Sequence, residues 1–307
     1  MTFPYQKITV IINPVSGLEN QAQTVISQYL AALPHLDITY CFTRPEQTAY
    51  SFAKQALESG SQLVVAYGGD GTQAQVATAL KGSSVPMGVL AGGTGNVMAA
   101  ELGIPTDLRQ ALDLIFQQPH HIRQVDMGCL DNQPFLLRAG IGYEAQATAT
   151  APRAAKRKHG RLAYVQHALA QLKKLRRARY VITVDGQTHV VRGITCLICN
   201  STNVGMKRLK LLHESSVSDG LLDVVVSEGL GVGALLRMAL SIFQSVLPSR
   251  LAAKSPIRHW QGKNITVEIR PSQLVGYDGE KLKQARRVSA YVIPNAVRML
   301  VPIGAET

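Results

Sequence analysis

Short apolar runs alternate with amphipathic stretches over the first third of the chain. Lys7 to Ile12, Leu36 to Phe42, Leu63 to Ala66 and Pro86 to Leu90 read as strands, and Glu19 to Ala32, Gln47 to Glu58 and Gln73 to Leu80 have helical periodicity. Pro34 ends the first helix and Ser59-Gly60 the second, while Thr43-Arg44-Pro45-Glu46 predicts a cap and start for the second. Regular alternation of this kind predicts an α/β, doubly wound parallel sheet, whose ligands lie beyond the carboxyl ends of the strands. Near residue 120 the pattern changes. His121 to Leu130 and Pro134 to Gly140 form a hairpin about Asp131-Asn132-Gln133, and Arg179 to Val184 and Gln187 to Val191 form another about Asp185-Gly186. Gly193 to Cys199, Leu222 to Ser227, Asn264 to Arg270 and Val288 to Ile293 add strands, so a mainly antiparallel β sandwich or barrel follows. Residues 1–127 and 128–294 are the two expected domains.

Two of the strands end on glycine turns. Leu63-Val64-Val65-Ala66 runs into Tyr67-Gly68-Gly69-Asp70-Gly71-Thr72, and Pro86-Met87-Gly88-Val89-Leu90 runs into Gly92-Gly93-Thr94-Gly95-Asn96; each is followed by a helix-compatible stretch. Strand, glycine turn, helix is the arrangement in which amides at a helix start converge on phosphate oxygens, and a side chain there would hold the phosphate away. Asp70, among those glycines, is too close to a phosphate to be tolerated without a cation or a transferable proton. Two ordinary tight turns, with Asp70 capping a helix, are the plainer alternative.

Composition narrows the partners. The chain has 307 residues, 46% hydrophobic and 17% charged, as a globular protein of two domains has. A formal net charge of +12 calls for a polyanionic partner or surface, and an aromatic content of 6% disfavours a base-stacking face, so nucleic acid is not the expected partner. From Arg153 to Arg179 there are ten Lys or Arg and no acid, and Gly160 to Arg177 has an amphipathic pattern with Leu162, Val165, Leu169 and Leu172 on one stripe. Such a surface attracts anionic lipid headgroups, at about 1 kcal/mol per basic side chain, although a solvated helix face has the same pattern. Leu230 to Leu247 is apolar but carries Arg237, which favours a core or interface helix over a membrane span. Cys41, Cys129, Cys196 and Cys199 are scattered, and Cys196 and Cys199 lie three apart on a strand, pointing to opposite faces; buried, reduced thiols in a cytoplasmic protein are expected.

Gly68-Gly69-Asp70-Gly71-Thr72 and Gly93-Thr94-Gly95-Asn96, preceded by Asn13-Pro14-Val15-Ser16-Gly17 and followed by Ser218 to Asp223 and Asp278-Gly279-Glu280, together resemble the diacylglycerol kinase/sphingosine kinase catalytic-domain family, in its bacterial YegS-like lipid kinase branch. The resemblance spans nearly the whole chain and implies the NAD kinase/diacylglycerol kinase-like fold, with residues 295–307 returning to the first domain and residues 128–294 as the lipid-substrate domain. It implies a peripherally membrane-associated kinase that uses ATP and Mg²⁺ to phosphorylate a membrane lipid, diacylglycerol-like in first place. Asn13, Pro14, Ser16 and Gly17, Thr43 near the adenosine, Gly68 to Thr72, and Gly93, Thr94, Gly95 and Asn96 would form the nucleotide cradle, with Asp70 positioning metal–nucleotide. Glu280 would accept the hydroxyl proton, Asp278 would assist or hold metal, and Asp126 looks like a carboxylate at the interdomain cleft. Ser216, Asp219 and Leu221 would form a structural magnesium loop. The chain departs from the family pattern at Val97 and at Ala74-Gln75, where acidic residues are common.

An NAD kinase-like enzyme shares the first glycine turn, and a non-catalytic nucleotide- or lipid-binding protein on the same fold is the alternative outside enzymes. Gly229-Leu230-Gly231-Val232-Gly233-Ala234 spells a dinucleotide fingerprint but lacks the acid about 20 residues on, and no P-loop, zinc spacing or hydrolase elbow occurs. Acceptor lipid and oligomeric state, a homodimer included, stay open at this stage.

Overall fold

A computed structural model describes residues 4–16, 21–143, 145, 177–203, 215–228 and 257–304. The four expected amino-terminal strands are β1 (Lys7–Ile12), β2 (Asp37–Phe42), β3 (Leu63–Gly68) and β4 (Met87–Ala91). They pair in parallel in the order β4-β3-β1-β2. Every residue of β3 is buried, because a strand covered by helices on both faces has no polar side, whereas the edge strand β2 is partly exposed along its length. The helices are α1 (Ala22–Ala31), α2 (Ala49–Glu58), α3 (Asp70–Leu80), α4 (Val97–Glu101) and α5 (Leu108–Phe116). The cap of α2 is Thr48, whose Oγ1 accepts from Ser51 N at 3.3 Å. The stretch Thr43 to Glu46, read as that cap, instead holds an isolated bridge between Arg44 and Gln47.

The second half is antiparallel. β5 (His120–Leu130) turns at Asp131-Asn132, both at positive φ, into β6 (Gln133–Phe135), and β7 (Arg138–Gly142) follows as a separate strand. β8 (Ala178–Val184) and β9 (Gln187–Gly193) form the hairpin about Asp185-Gly186. β10 (Thr195–Cys199), β11 (Leu222–Ser227) and β12 (Ile257–Gly262) extend the sheet to one edge. Cys196 and Cys199 are buried and form no disulfide. β13 (Asn264–Tyr277) and β14 (Glu280–Pro302) make a long hairpin whose tip is Asp278-Gly279.

β14 joins the two halves. Its first part pairs with β13, Met299 pairs in parallel with Met87 of β4, and its register against β5 shifts between Ile293 and Val297, about Asn295 at φ 52°. The result is the expected parallel α/β sheet continuing into an antiparallel β sandwich. Two apolar cores follow: one gathers β1, β3, β4, the helices and Val297, Met299 and Leu300 of β14, and the other gathers β7 to β11 with β13 and the start of β14.

Candidate active site

The carboxyl ends of β1, β3 and β4 converge. Asn13 N donates to Tyr67 O at 2.9 Å, Gly92 N to Gly68 O at 2.9 Å, and Thr43 N, after β2, to Ile12 O at 2.9 Å. Asn13 Nδ2 donates to Thr72 Oγ1 at 2.9 Å, and Tyr67 Oη to Ser16 O at 3.4 Å. Asn13, Ser16, Thr43, the two glycine turns and the start of α3 therefore lie together on this edge. Pro14 and Thr94 are exposed beside them, and Gly17 lies outside the described residues.

The glycines divide into two kinds. A methyl on Gly93 would sit 2.6 Å from Gly69 Cα, so the two turns touch backbone to backbone; one on Gly68 would meet Thr72 at 2.6 Å, and one on Gly92 the Tyr67 ring at 2.8 Å. Packing explains those three. Gly71 is different: its φ is not positive, it stands in the first turn of α3, and a methyl on it would meet nothing within 4 Å. Glycine inside a helix costs roughly 0.5–1 kcal/mol against alanine, so the fold gives Gly71 no reason to be glycine. The first amides of α3 have no intrahelical acceptor, and Gly69 supplies no side-chain cap.

Asp70 sits between the turns. Its Oδ1 accepts from Val97 N at 2.7 Å, so it caps α4, the helix after the other turn, while Oδ2 lies where a methyl on Gly95 would come within 2.6 Å. Burial raises its pKa above the usual carboxylate range, against the lowering effect of the Val97, Met98 and Asn96 amides and of the Arg138 guanidinium. Asn96, left-handed at φ 50°, closes the second turn through Oδ1, which accepts from Gly93 N at 2.8 Å, and Nδ2, which donates to Gly93 O at 2.8 Å.

The sandwich brings Arg138, Asn203 and Asp278 to the same side. Arg138 Nη1 donates to Asn203 O at 3.5 Å, and its charge acts on both Asp70 and Asp278. Ser201 Oγ donates to Glu101 Oε2 at 3.3 Å, tying this side to the end of α4. Asp278 makes a different use of its acid. Although its turn is partly exposed, the carboxylate folds inward and accepts Leu136 N at 2.6 Å, Leu137 N at 2.8 Å and Arg138 N at 3.1 Å. Burial nonetheless raises its pKa to about 6. Through these bonds Asp278 holds the strand that carries Arg138. Glu280 opens β14 next to that turn, and its side chain lies outside the described residues.

Asp126 is likewise structural and not a cleft carboxylate: 2% exposed, it accepts Gly220 N at 2.7 Å and Asn295 N at 2.7 Å, pinning β14 where its register shifts. In the loop of Ser216, Asp219 and Leu221 the carboxylate ties the turn together. Asp219 Oδ2 accepts Ser216 N at 3.3 Å and Gln261 Nε2 at 3.2 Å, and Oδ1 accepts Leu221 N at 2.9 Å. The Arg123 guanidinium donates to Ser216 Oγ at 3.1 Å and Ser218 Oγ at 3.0 Å. Burial, with Asp223 and Asp126 nearby, raises the Asp219 pKa. Among the described residues no group of three His, Cys, Asp or Glu side chains is placed to hold a metal, and no helix is long and apolar enough to cross a membrane. The basic stretch 153–176 and the segment 229–256 lie outside the described residues.

Sequence reading did not single out Arg138 or Asn200-Ser201-Thr202-Asn203. The second had a signal: four polar residues in a row directly after an apolar strand, here all at or below 1% exposure.

A parallel sheet ending in two glycine turns about an aspartate, continued by an antiparallel sandwich, is the architecture of a diacylglycerol kinase-like protein. Residues 7–130 match the diacylglycerol kinase catalytic domain, and residues 138–301 the YegS C-terminal NAD kinase beta sandwich-like domain. The chain is 31% identical over 264 residues to a Pseudomonas putida protein named "Probable lipid kinase YegS-like", covering 84% of this chain and 83% of that one. It is 27% identical over 246 residues to a diacylglycerol kinase of Mycobacterium tuberculosis, covering 78% of each. A crystal structure of a diacylglycerol kinase from Bacillus anthracis superposes with a TM-score of 0.73 at 21% identity, covering 99% of both chains. The chain belongs to the YegS-like branch of the diacylglycerol kinase catalytic-domain family.

Proposed function

We propose that this chain is an ATP-dependent lipid kinase that transfers the γ-phosphate to the hydroxyl of a membrane lipid, diacylglycerol in first place. Gly71 carries the reading. It is a glycine in the first turn of a helix, with open space where its side chain would be and no backbone need for it, beside amides that have no acceptor. Close approach of a phosphate to the backbone supplies the missing reason.

The amides of Gly69 to Thr72 receive the terminal phosphates, and Asn13 ties the end of β1 to Thr72 in the first turn of α3 and to Tyr67 of β3. Asp70, a buried carboxylate with a raised pKa among glycines, suits a cation. Mg²⁺ held there together with the phosphates would offset charge on the transferring group. Arg138 adds positive charge from the sandwich side. The bond between the γ-phosphorus and the bridging oxygen breaks, a bond to the lipid oxygen forms, the hydroxyl proton passes to Glu280, and ADP leaves. Membrane contact is peripheral, through basic surface. A diacylglycerol acceptor follows the names of the relatives, and the hydroxyl on an apolar tail is its essential chemistry.

The test is labelled ATP with purified protein and a panel of acceptors in mixed vesicles: diacylglycerol, phosphatidylglycerol, ceramide, a sphingoid base and undecaprenol, with Asp70→Ala as control. Lipid-extractable label that vanishes in the control is expected. Label in NADP when NAD is supplied points to an NAD kinase, and label in neither contradicts an enzymatic reading.

A further inference from the structure

Leu136-Leu137-Arg138-Ala139-Gly140-Ile141-Gly142 is an apolar run broken by a single charge. Leu136, Leu137 and the four residues after Arg138 are buried, and Arg138 itself is half-buried. An aliphatic residue would sit in such a strand at no desolvation cost, so the charge needs a reason of its own.

Two sets of contacts fix its place. Asp278 accepts the Leu136, Leu137 and Arg138 amides, and Asp278 N donates to Arg138 O at 3.0 Å, so the backbone at the start of β7 is held. Asn200 N and Ser201 N both donate to Leu137 O, at 2.8 and 3.0 Å. The Arg138 side chain reaches the same loop through Nη1 on Asn203 O, and Ser201 Oγ of that loop donates to Glu101 at the end of α4. α4 has five residues and starts at the Val97 amide that Asp70 accepts. Arg138 thus lies within a short helix's length of the two glycine turns, and its charge is felt by Asp70 as well as by Asp278.

A counter-charge for the buried Asp278 is the simpler reason. It accounts for the sign but not for a guanidinium. Asp278 already spends its oxygens on three amides, and a point charge such as that of lysine would serve it as well. A planar fork of N–H donors suits an anion that presents several oxygens at once, as a terminal phosphate does.

We propose that Arg138 is a catalytic residue that hydrogen-bonds the γ-phosphate of ATP from the sandwich side, a role that rests on the ATP-dependent reading of the glycine turns. The bond from the γ-phosphorus to the ADP oxygen breaks, the bond to the lipid oxygen forms, and the hydroxyl proton passes to Glu280. During that exchange the Arg138 N–H groups meet the charge on the non-bridging oxygens. ADP cannot make this contact.

The test compares ATP with ADP by calorimetry, with magnesium present, in the parent, Arg138→Gln and Arg138→Lys, alongside urea unfolding and turnover on lipid vesicles. Arg138→Gln should bind ADP as the parent does and ATP about tenfold more weakly. Its kcat should fall by about 10²-fold or more, with the KM for lipid unchanged. Arg138→Lys keeps the counter-charge, so it should unfold at the parent's urea concentration, yet lose about tenfold in kcat because a point charge replaces the fork. A lysine variant with the parent's turnover and ATP affinity overturns the proposal, even where the glutamine variant does not fold. So does a folded glutamine variant whose ATP and ADP affinities are both unchanged, or both reduced alike. A parent that prefers ATP to ADP through Arg138 but labels no lipid keeps the contact and loses the lipid kinase reading. A parent that labels lipid, with Arg138→Gln at full rate, keeps that reading and loses the contact.

Discussion

Aspartate stands at the critical turns of both halves of the molecule, and it does different work in each. In the parallel half, Asp70 stands between two glycine turns and spends one oxygen on the Val97 amide, with the other toward Gly95. In the sandwich half, aspartates accept backbone N–H groups from a distant strand. Asp278 holds Leu136 to Arg138, Asp185 holds Lys263 and Asn264, Asp131 holds Ser289, and Asp126 holds Gly220 and Asn295. Antiparallel strands joined by tight turns leave amides unpaired at the corners, and a short carboxylate fills them. An Asp-Gly pair in sequence therefore does not distinguish chemistry from stitching. The direction of the carboxylate does.

The comparison breaks most sharply at Asp70. Asparagine keeps an oxygen for Val97 N, so Asp70→Asn should leave the unfolding midpoint nearly unchanged while turnover falls by about 10²–10³, the scale of losing a group that acts on developing charge. Full turnover with ordinary folding would reduce Asp70 to a cap. Asp126→Ala should do the reverse. Leaving the Gly220 and Asn295 amides buried without an acceptor costs about 1–3 kcal/mol each, to be read from urea unfolding. Loss of turnover in that variant should track its loss of fold, and an inactive but fully stable protein would put Asp126 back in the chemistry.

These assignments show where sequence stops being legible. β1, β3 and β4 could be read because buried parallel strands are continuous apolar runs ended by glycine, and both hairpins about Asp131-Asn132 and Asp185-Gly186 could be read from their turn residues. α5 was missed despite its capping Asp107, which accepts Gln110 N at 2.9 Å. β12, Ile-Arg-His-Trp-Gln-Gly, is a polar edge with no alternation to find. The continuity of β13 and β14 is masked by Pro, Ser, Gly and Lys within them. The site divided along the same line. The phosphate side is local in sequence and was visible, whereas the partners of Asp126 lie 94 and 169 positions away and those of Asp278 about as far. Nothing local marks Arg138.

A milder test concerns pH. The Asp278 pKa is raised from 3.8 to about 6, so its neutral form is favoured on folding. Its contribution to stability is full below pH 3.8 and is lost as pH rises through about 6, a change of order 3 kcal/mol. Carboxyl NMR should find its midpoint near 6, and a midpoint at or below the ordinary aspartate value would contradict the inward, desolvated placement.

The most direct measurement uses Gly71→Ala. Alanine is the better helix former and meets nothing there, so the variant should unfold at the same denaturant concentration as the parent or slightly higher. A methyl on the phosphate approach should nonetheless weaken ATP binding by about tenfold or more, or about 1.4 kcal/mol, measured by calorimetry with magnesium present. Unchanged ATP affinity in a stable Gly71→Ala protein would contradict a phosphate cradle on these turns.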